Sequence, residues 1–110
     1  QCMSSENISS SKEGIYEENG VLIVKGIEYI NRIASALASK TRLEILKLVR
    51  KKELDIGEIA DYIDQSRANA SAQIKRLEDI GLIKTSYKPG QRGVKKVCWT
   101  NIKEIRIILD

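Results

Sequence analysis

The sequence contains no histidine and no phenylalanine, and only one proline, one tryptophan and two cysteines among its 110 residues. Without histidine, imidazole-based metal sites and the usual general base of nucleophilic catalysis are excluded. Two cysteines, Cys2 and Cys98, make no disulfide framework. No apolar run approaches the roughly 18 residues of a membrane-spanning helix. The N-terminus lacks a basic-then-apolar leader layout, so the expected location is the cytoplasm. No glycine-rich loop runs into a Lys-Ser/Thr pair, no cysteine neighbours a base, and no carboxylates pair in a cleft-like pattern. The reading is of a chain that is not an enzyme, has no catalytic residues and needs neither cofactor nor metal.

What is present is charge, unevenly spread. The formal net charge is +4. Residues 66–100 carry eight basic side chains (Arg67, Lys75, Arg76, Lys84, Lys88, Arg92, Lys95, Lys96) against Glu78 and Asp79. The remainder of the chain is neutral or slightly acidic. A basic excess confined to one stretch is the electrostatic footprint of a nucleic-acid face.

That stretch overlaps the clearest pattern in the sequence. In residues 56–81, Ile56, Ile59, Ala60 and Ile63 recur at helical spacing. Asp64-Gln65-Ser66 interrupts, with Ser66 suited to cap a second helix. Ala70, Ile74 and Leu77 then recur at helical spacing, and Gly81 ends the run. Two short helices joined by about three residues form a helix-turn-helix, with its reading helix over 66–80.

The flanks complete an order. Residues 1–14 are Ser-rich and expected to form a flexible tail. Residues 15–25 read as a β-hairpin about Asn19-Gly20, or as a lone strand at Val21–Lys25. A helix is expected over Ile27–Ala38, its stripe of Ile27, Ile30, Ala34 and Leu37 broadened by Ile33 and Ala38. So wide an apolar face is read either as core plus a contact with a second subunit or as intramolecular core throughout. Ser39 caps a helix over Lys40–Lys51 with Leu43, Ile45, Leu46 and Val49 inward; Lys40, Thr41 and Arg42 at its start are placed to touch a phosphate. After Gly81, two strands around a loop at Lys88–Gly93 form a wing over 82–100. Val94 falls out of phase with Val97 and Trp99, which implies a bulge near Lys95. The end, Ile102–Leu109, suits a helix or a strand; β-branched content favours a strand beside Val21–Lys25 or on another subunit. The expected fold is therefore mostly α with a small β component: one winged helix-turn-helix domain over 15–110, with extra N- and C-terminal strands.

Three motifs carry a family resemblance. Residues 36–49, ALASKTRLEILKLV, resemble the second-helix opening of the ArsR-like winged helix-turn-helix regulators. Residues 66–77, SRANASAQIKRL, resemble that family's reading helix, and Gly81-Leu82-Ile83 its lead into the wing. The resemblance covers roughly residues 33–100. It also has departures. Where metal-sensing members carry two cysteines before the reading helix, this chain has Asp55 and Gly57 within Glu53-Leu54-Asp55-Ile56-Gly57-Glu58-Ile59. Sensing a soft metal there is excluded for want of thiolates. The family's other metal site needs histidines and a long C-terminal helix, and neither is expected here.

Resemblance and charge together imply a homodimeric, sequence-specific regulator of double-stranded DNA. The reading helix would enter the major groove and the wing, 88–96, would follow the backbone or minor groove. Base-reading candidates are Arg67, Asn69, Ser71 and Gln73, with Arg67 suited to guanine and Gln73 to adenine. Phosphate candidates are Ser66, Lys75, Arg76, Lys88, Gln91, Arg92, Lys95 and Lys96. Dimerisation is expected through Ile27, Ile30, Ala34 and Leu37 and the terminal strands. Two other readings stand beside this one: a winged helix that binds protein rather than DNA, and a redox sensor acting through Cys98, set against a buried, inert thiol.

Overall fold

The computed structural model describes residues 12–110. The expected tail falls outside the described residues as far as residue 11, and Gly14 already belongs to the first strand. That strand, β1 (Gly14–Glu18), runs into β2 (Val21–Lys25) through a two-residue turn. Asn19 and Gly20 both take positive φ, 52° and 82°, as a type I′ turn requires. The hairpin reading holds over the lone strand.

Four helices come next. Helix α1 (Ile27–Leu37) buries Ile33 and Ala36 and lies against β2. Its expected stripe points elsewhere: Ile30 and Leu37 are half-buried, while Ile27 and Ala34 are exposed. Helix α2 (Lys40–Lys51) starts at Ser39, whose hydroxyl accepts from the Arg42 N–H at 3.2 Å. Its interior residues are Arg42, Ile45 and Val49. Leu43, expected inside, is exposed instead, because Arg42 takes the place one third of a turn away on the stripe it shares with Ile45 and Val49.

Short strand β3 (Leu54–Asp55) leads into α3 (Ile56–Ile63). Asp64, left-handed at φ 57°, turns the chain toward α4 (Arg67–Asp79). Gly81, at φ 86°, reverses it. There the Gly81 N–H donates to Glu78 and the Leu82 N–H to Leu77, closing the last helical turn. The wing is β4 (Lys84–Gly90) and β5 (Gly93–Trp99). Its ladder runs unbroken from Lys84↔Trp99 to Gly90↔Gly93, so the bulge near Lys95 is absent and the loop shrinks to Gln91-Arg92. Phase failed as a guide because β5 is not half-buried along its length. Val97 and Cys98, on opposite faces, are both buried where β5 meets the core, whereas Val94 is exposed near the tip. Pro89 is tolerated because β4 is an edge strand; β5 lies between β3 and β4.

The C-terminal segment is strand β6 (Glu104–Ile108), parallel to β2 in the order β1-β2-β6. The Ile102 N–H donates to the Thr100 hydroxyl and the Lys103 N–H to the Gly20 carbonyl, which carries the chain from wing to hairpin. One apolar core joins the elements: Leu22 and Val24 of β2, Ile33 of α1, Ile45 and Val49 of α2, Ile59 of α3, Ile74 and Leu77 of α4, and Leu82, Ile83 and Cys98 at the wing base. The fold is a winged helix-turn-helix with added terminal strands.

Candidate nucleic-acid interface

Helix α4 is fixed on three sides. Ala70, Ile74 and Leu77 are buried. The Ser66 hydroxyl accepts from the Asn69 N–H at 3.1 Å, so Ser66 does serve as the N-cap. At the far end, the Thr85 hydroxyl donates to Glu78 at 2.7 Å and ties α4 to β4. What remains outward is a polar surface with Arg67, Asn69, Ser71, Lys75 and Arg76 exposed.

Gln73 does not belong to that surface. It is half-buried, and its Oε1 accepts from Arg42 Nη1 at 2.7 Å. Arg42 is itself buried. Its Nε donates to the Ala36 carbonyl (2.7 Å) and its Nη2 to the Ser35 carbonyl (3.2 Å). The guanidinium therefore closes the C-terminus of α1, where carbonyls point out and the helix dipole favours a cation. Burial, and then Arg76, hold the Arg42 pKa below its ordinary value. The expectation that Arg42 touches a phosphate is corrected: it is a buried staple between α1, α2 and α4. Gln73, expected to read adenine, has its amide oxygen held inward by the Arg42 guanidinium, which leaves only its N–H groups for another partner.

The wing stands across from the N-terminus of α4. Between them lies a cleft of about 680 Å³, bounded by Asp55, Gly57, Arg67, Arg92 and Lys96 among others. Gly57 has a steric reason to be there. A Cβ on it would lie 2.7 Å from Arg67 Nη2, so the bare backbone of α3 is what Arg67 rests on. Asp55 caps α3 through reciprocal bonds: its carboxylate accepts from the Glu58 N–H (2.8 Å) and the Glu58 carboxylate accepts from the Asp55 N–H (2.9 Å). Capping accounts for Asp55, and Gly57 has no side-chain donor, so this pair does not fit a thiophilic metal. Among the described residues, no group of three or more histidine, cysteine, aspartate or glutamate side chains could hold a metal ion.

The cationic candidates divide by partner. Lys75 pairs with Asp79 (3.0 Å), which raises its pKa, first through the hydrogen bond. Lys88 pairs with Glu53 (2.8 Å), and Lys95 approaches Asp55 (3.9 Å). All three pairs are solvent-exposed enough that a phosphate can compete for the lysine. Among the described residues, Arg67, Arg76, Arg92 and Lys96 have no carboxylate within ion-pair distance. Gln91 and Arg92 form the exposed tip. The structure thus brings together Arg67 and the wing residues Gln91, Arg92, Lys95 and Lys96 around one cleft, and sets Lys75 and Arg76 farther along α4.

Sequence reasoning singled out Arg42 and Gly57 but missed the roles the structure gives them. Arg42 had a signal, since it shares the i, i+3, i+7 stripe of Ile45 and Val49. Gly57 had none, because its role depends on a side chain ten positions away.

This fold and site define a winged helix-turn-helix regulator. The model of the bacterial regulatory protein family arsR matches residues 39–85. The ArsR family transcriptional regulator RHA00566 is 31% identical, with a TM-score of 0.55, over 64% of this chain and 74% of that one. The chain belongs to the ArsR family; family and fold are those of transcriptional regulators, not enzymes. HlyU from Vibrio cholerae N16961, in its reduced form, is 25% identical with a TM-score of 0.55, over 64% of this chain and 70% of HlyU. The homodimeric winged helix-turn-helix DNA-binding domain of Mb0332 from Mycobacterium bovis is 26% identical with a TM-score of 0.57, over 66% of this chain and 63% of that one. A comparison with curated proteins finds no match. Among the described residues, no helix is long and apolar enough to cross a membrane.

Proposed function

We propose that this regulator is a cytoplasmic homodimer that binds double-stranded DNA sequence-specifically. Residues 15–110 act as one domain in this reading. Helix α4 enters the major groove, and the wing lies on the adjoining backbone or in the minor groove. The observation that carries this is the cleft between Arg67 and the wing, whose lining sets the cations Arg67, Arg92, Lys95 and Lys96 against the single carboxylate of Asp55. A duplex supplies the matching charge: phosphates along both edges of a groove.

Arg67, Asn69 and Ser71 are the base readers in this reading. Ser66, Lys75, Arg76, Lys88, Gln91, Arg92, Lys95 and Lys96 contact the backbone. Gln73 keeps a narrower part: with its oxygen held by Arg42, its amide N–H groups face a base acceptor or a phosphate as donors only. Subunits meet through the outward face of α1 (Ile27, Ile30, Ala34, Leu37) and the terminal strands. Mb0332 is homodimeric by its description, which supports the two-subunit reading.

Selection from a library of random duplexes tests it. A homodimer reading DNA should enrich two inverted half-sites, their centres about one helical turn (10–10.5 base pairs) or a multiple apart. A library that leaves selection unenriched would end the sequence-specific reading and favour a winged helix that binds protein.

A further inference from the structure

The sheet β1-β2-β6 ends on an open edge. Strand β6 pairs with β2 on one side and, among the described residues, with nothing on the other. An open edge presents a row of backbone donors and acceptors ready for another strand. The apolar cover of β6 is also incomplete. Ile105 is half-buried, Ile107 is 42% exposed and Leu109 is 85% exposed. Helix α1 lies on β2 rather than over β6. Its first residue, Ile27, is 87% exposed just beyond Lys25, which pairs with Ile108. Edge and apolar surface are therefore continuous.

We propose that β6 pairs antiparallel with β6 of a second copy, with Ile105 opposite Ile105 and Glu104 opposite Arg106. This rests on the homodimer reading above and specifies its interface. A two-fold axis normal to the sheet keeps each residue on its own face, so only registers that oppose residues of the same face are allowed. Within that set, charge selects one. With Ile105 on the axis, Glu104 of each copy faces Arg106 of the other, and Lys103 faces Ile107. Sliding one copy by two residues opposes Arg106 with Arg106, or Glu104 with Glu104. The next steps oppose Glu104 with Asp110, or Lys103 with Lys103. Like charges directly opposite are destabilising, and opposite charges stabilise. Glu104 and Arg106 already pair within one chain at 3.1 Å, so the dimer would hold a closed ring of four alternating charges.

The same axis explains the exposed apolar residues. It leaves both copies of α1 on one side of a six-stranded sheet. There the two helices flank the central β6 strands, and Ile105 and Ile107 of both copies gather in the apolar trough between them, with Ile27 at its margin.

Charge reversal and cross-linking test the register. Arg106 and Glu104 are exposed, so reversing them leaves the subunit core intact. Dimer dissociation is followed by sedimentation or by light scattering on gel filtration, with the full chain. Arg106→Glu and Glu104→Arg should each weaken association about tenfold, because two cross-strand pairs per dimer become repulsive, and the double variant should restore it. Ile105→Cys in a Cys2→Ser background should form an intermolecular disulfide on mild oxidation, whereas Ile107→Cys should not. A wild-type chain that stays monomeric overturns both the homodimer reading and this interface. A dimer unchanged by either reversal, or one cross-linked through Ile107→Cys and not Ile105→Cys, overturns the register alone and leaves the dimer to another surface.

Discussion

Arg42 occupies a place on the α2 stripe that would otherwise go to an aliphatic side chain. Its three hydrogen bonds hold the end of α1 and the amide of Gln73. Arg42→Ala would leave two carbonyls and an amide without their charged donor. The expected destabilisation is about 2–4 kcal/mol, since hydrogen bonds to charged groups contribute about 1.5–3 kcal/mol each and water recovers part. Thermal unfolding should show the midpoint falling by 10 °C or more on the order-of-magnitude scaling for a chain of this size. A midpoint within a degree or two of wild type would mean that the staple is dispensable.

Cys98 shows a different residue-scale logic. It is fully buried, and burial pushes its thiol up to about 11 from an ordinary 9.0. The folded state then holds the thiol proton more tightly than the unfolded state does. That preference is fully present below pH 9 and is lost as pH rises toward 11. Wild type should therefore lose stability relative to Cys98→Ala across that window in denaturant titrations at stepped pH. At pH 8 iodoacetamide should label Cys98 only when the chain unfolds. Rapid labelling of Cys98 in the native Cys2→Ser chain would revive the redox-sensor reading. The sequence offered both readings, and only burial separates them.

Among the elements, α4 and the wing face each other across a cleft that Gly57 of α3 also lines. Gly57→Ala fills the space on which the Arg67 guanidinium rests. The obstructing atoms are the far end of a flexible side chain, so Arg67 swings away at little cost. Alanine in a helix gains up to about 1 kcal/mol over glycine. The expected variant is as stable as wild type or slightly more so, with altered affinity for duplex DNA. Unchanged affinity, measured beside an unchanged melting curve, would remove Arg67 placement from the recognition account. Ser66→Ala separates cap from contact. Removing the cap alone costs about 1 kcal/mol of stability, whereas a phosphate contact also appears as weaker binding in the salt titration.

The elements themselves were legible in proportion to how local their causes are. Asn19-Gly20, Ser39, Ser66 and Gly81 each act within a few residues of themselves, and each marks a boundary in the structure where sequence placed it. The wing loop was overestimated because Pro89 reads as a turn residue, while an edge strand accommodates it. The bulge near Lys95 was inferred from alternation, which fails where a strand passes from solvent to a core that covers both faces. Strand β3 is two residues long and carries no periodicity at all.

At the scale of the whole molecule, one fact of the sequence survives folding unchanged: the positive excess lies in residues 66–100. Folding adds what linear order cannot give, placing Arg67 and Arg92 around a common cleft although they are far apart in the chain. It also neutralises part of that charge, since Glu53, Asp55 and Asp79 approach Lys88, Lys95 and Lys75. Those partners lie on other elements or a turn away, which is why counting charges along the chain overstated the free cations. The parallel pairing of β6 with β2 was among the outcomes composition allowed; it required the link through Thr100 and Gly20 to be realised.

The central claim is that this basic face binds duplex DNA through its phosphates. It is tested by the dependence of the association constant on salt, for wild type and Arg92→Ala, by fluorescence anisotropy with a mixed-sequence duplex. Wild type should bind at low salt, with log K falling linearly against log salt concentration. Arg92→Ala should bind more weakly with a shallower slope, by about 1 for each phosphate no longer neutralised and so about 2 for a dimer. No binding at low salt, or binding whose strength is indifferent to salt, would contradict it.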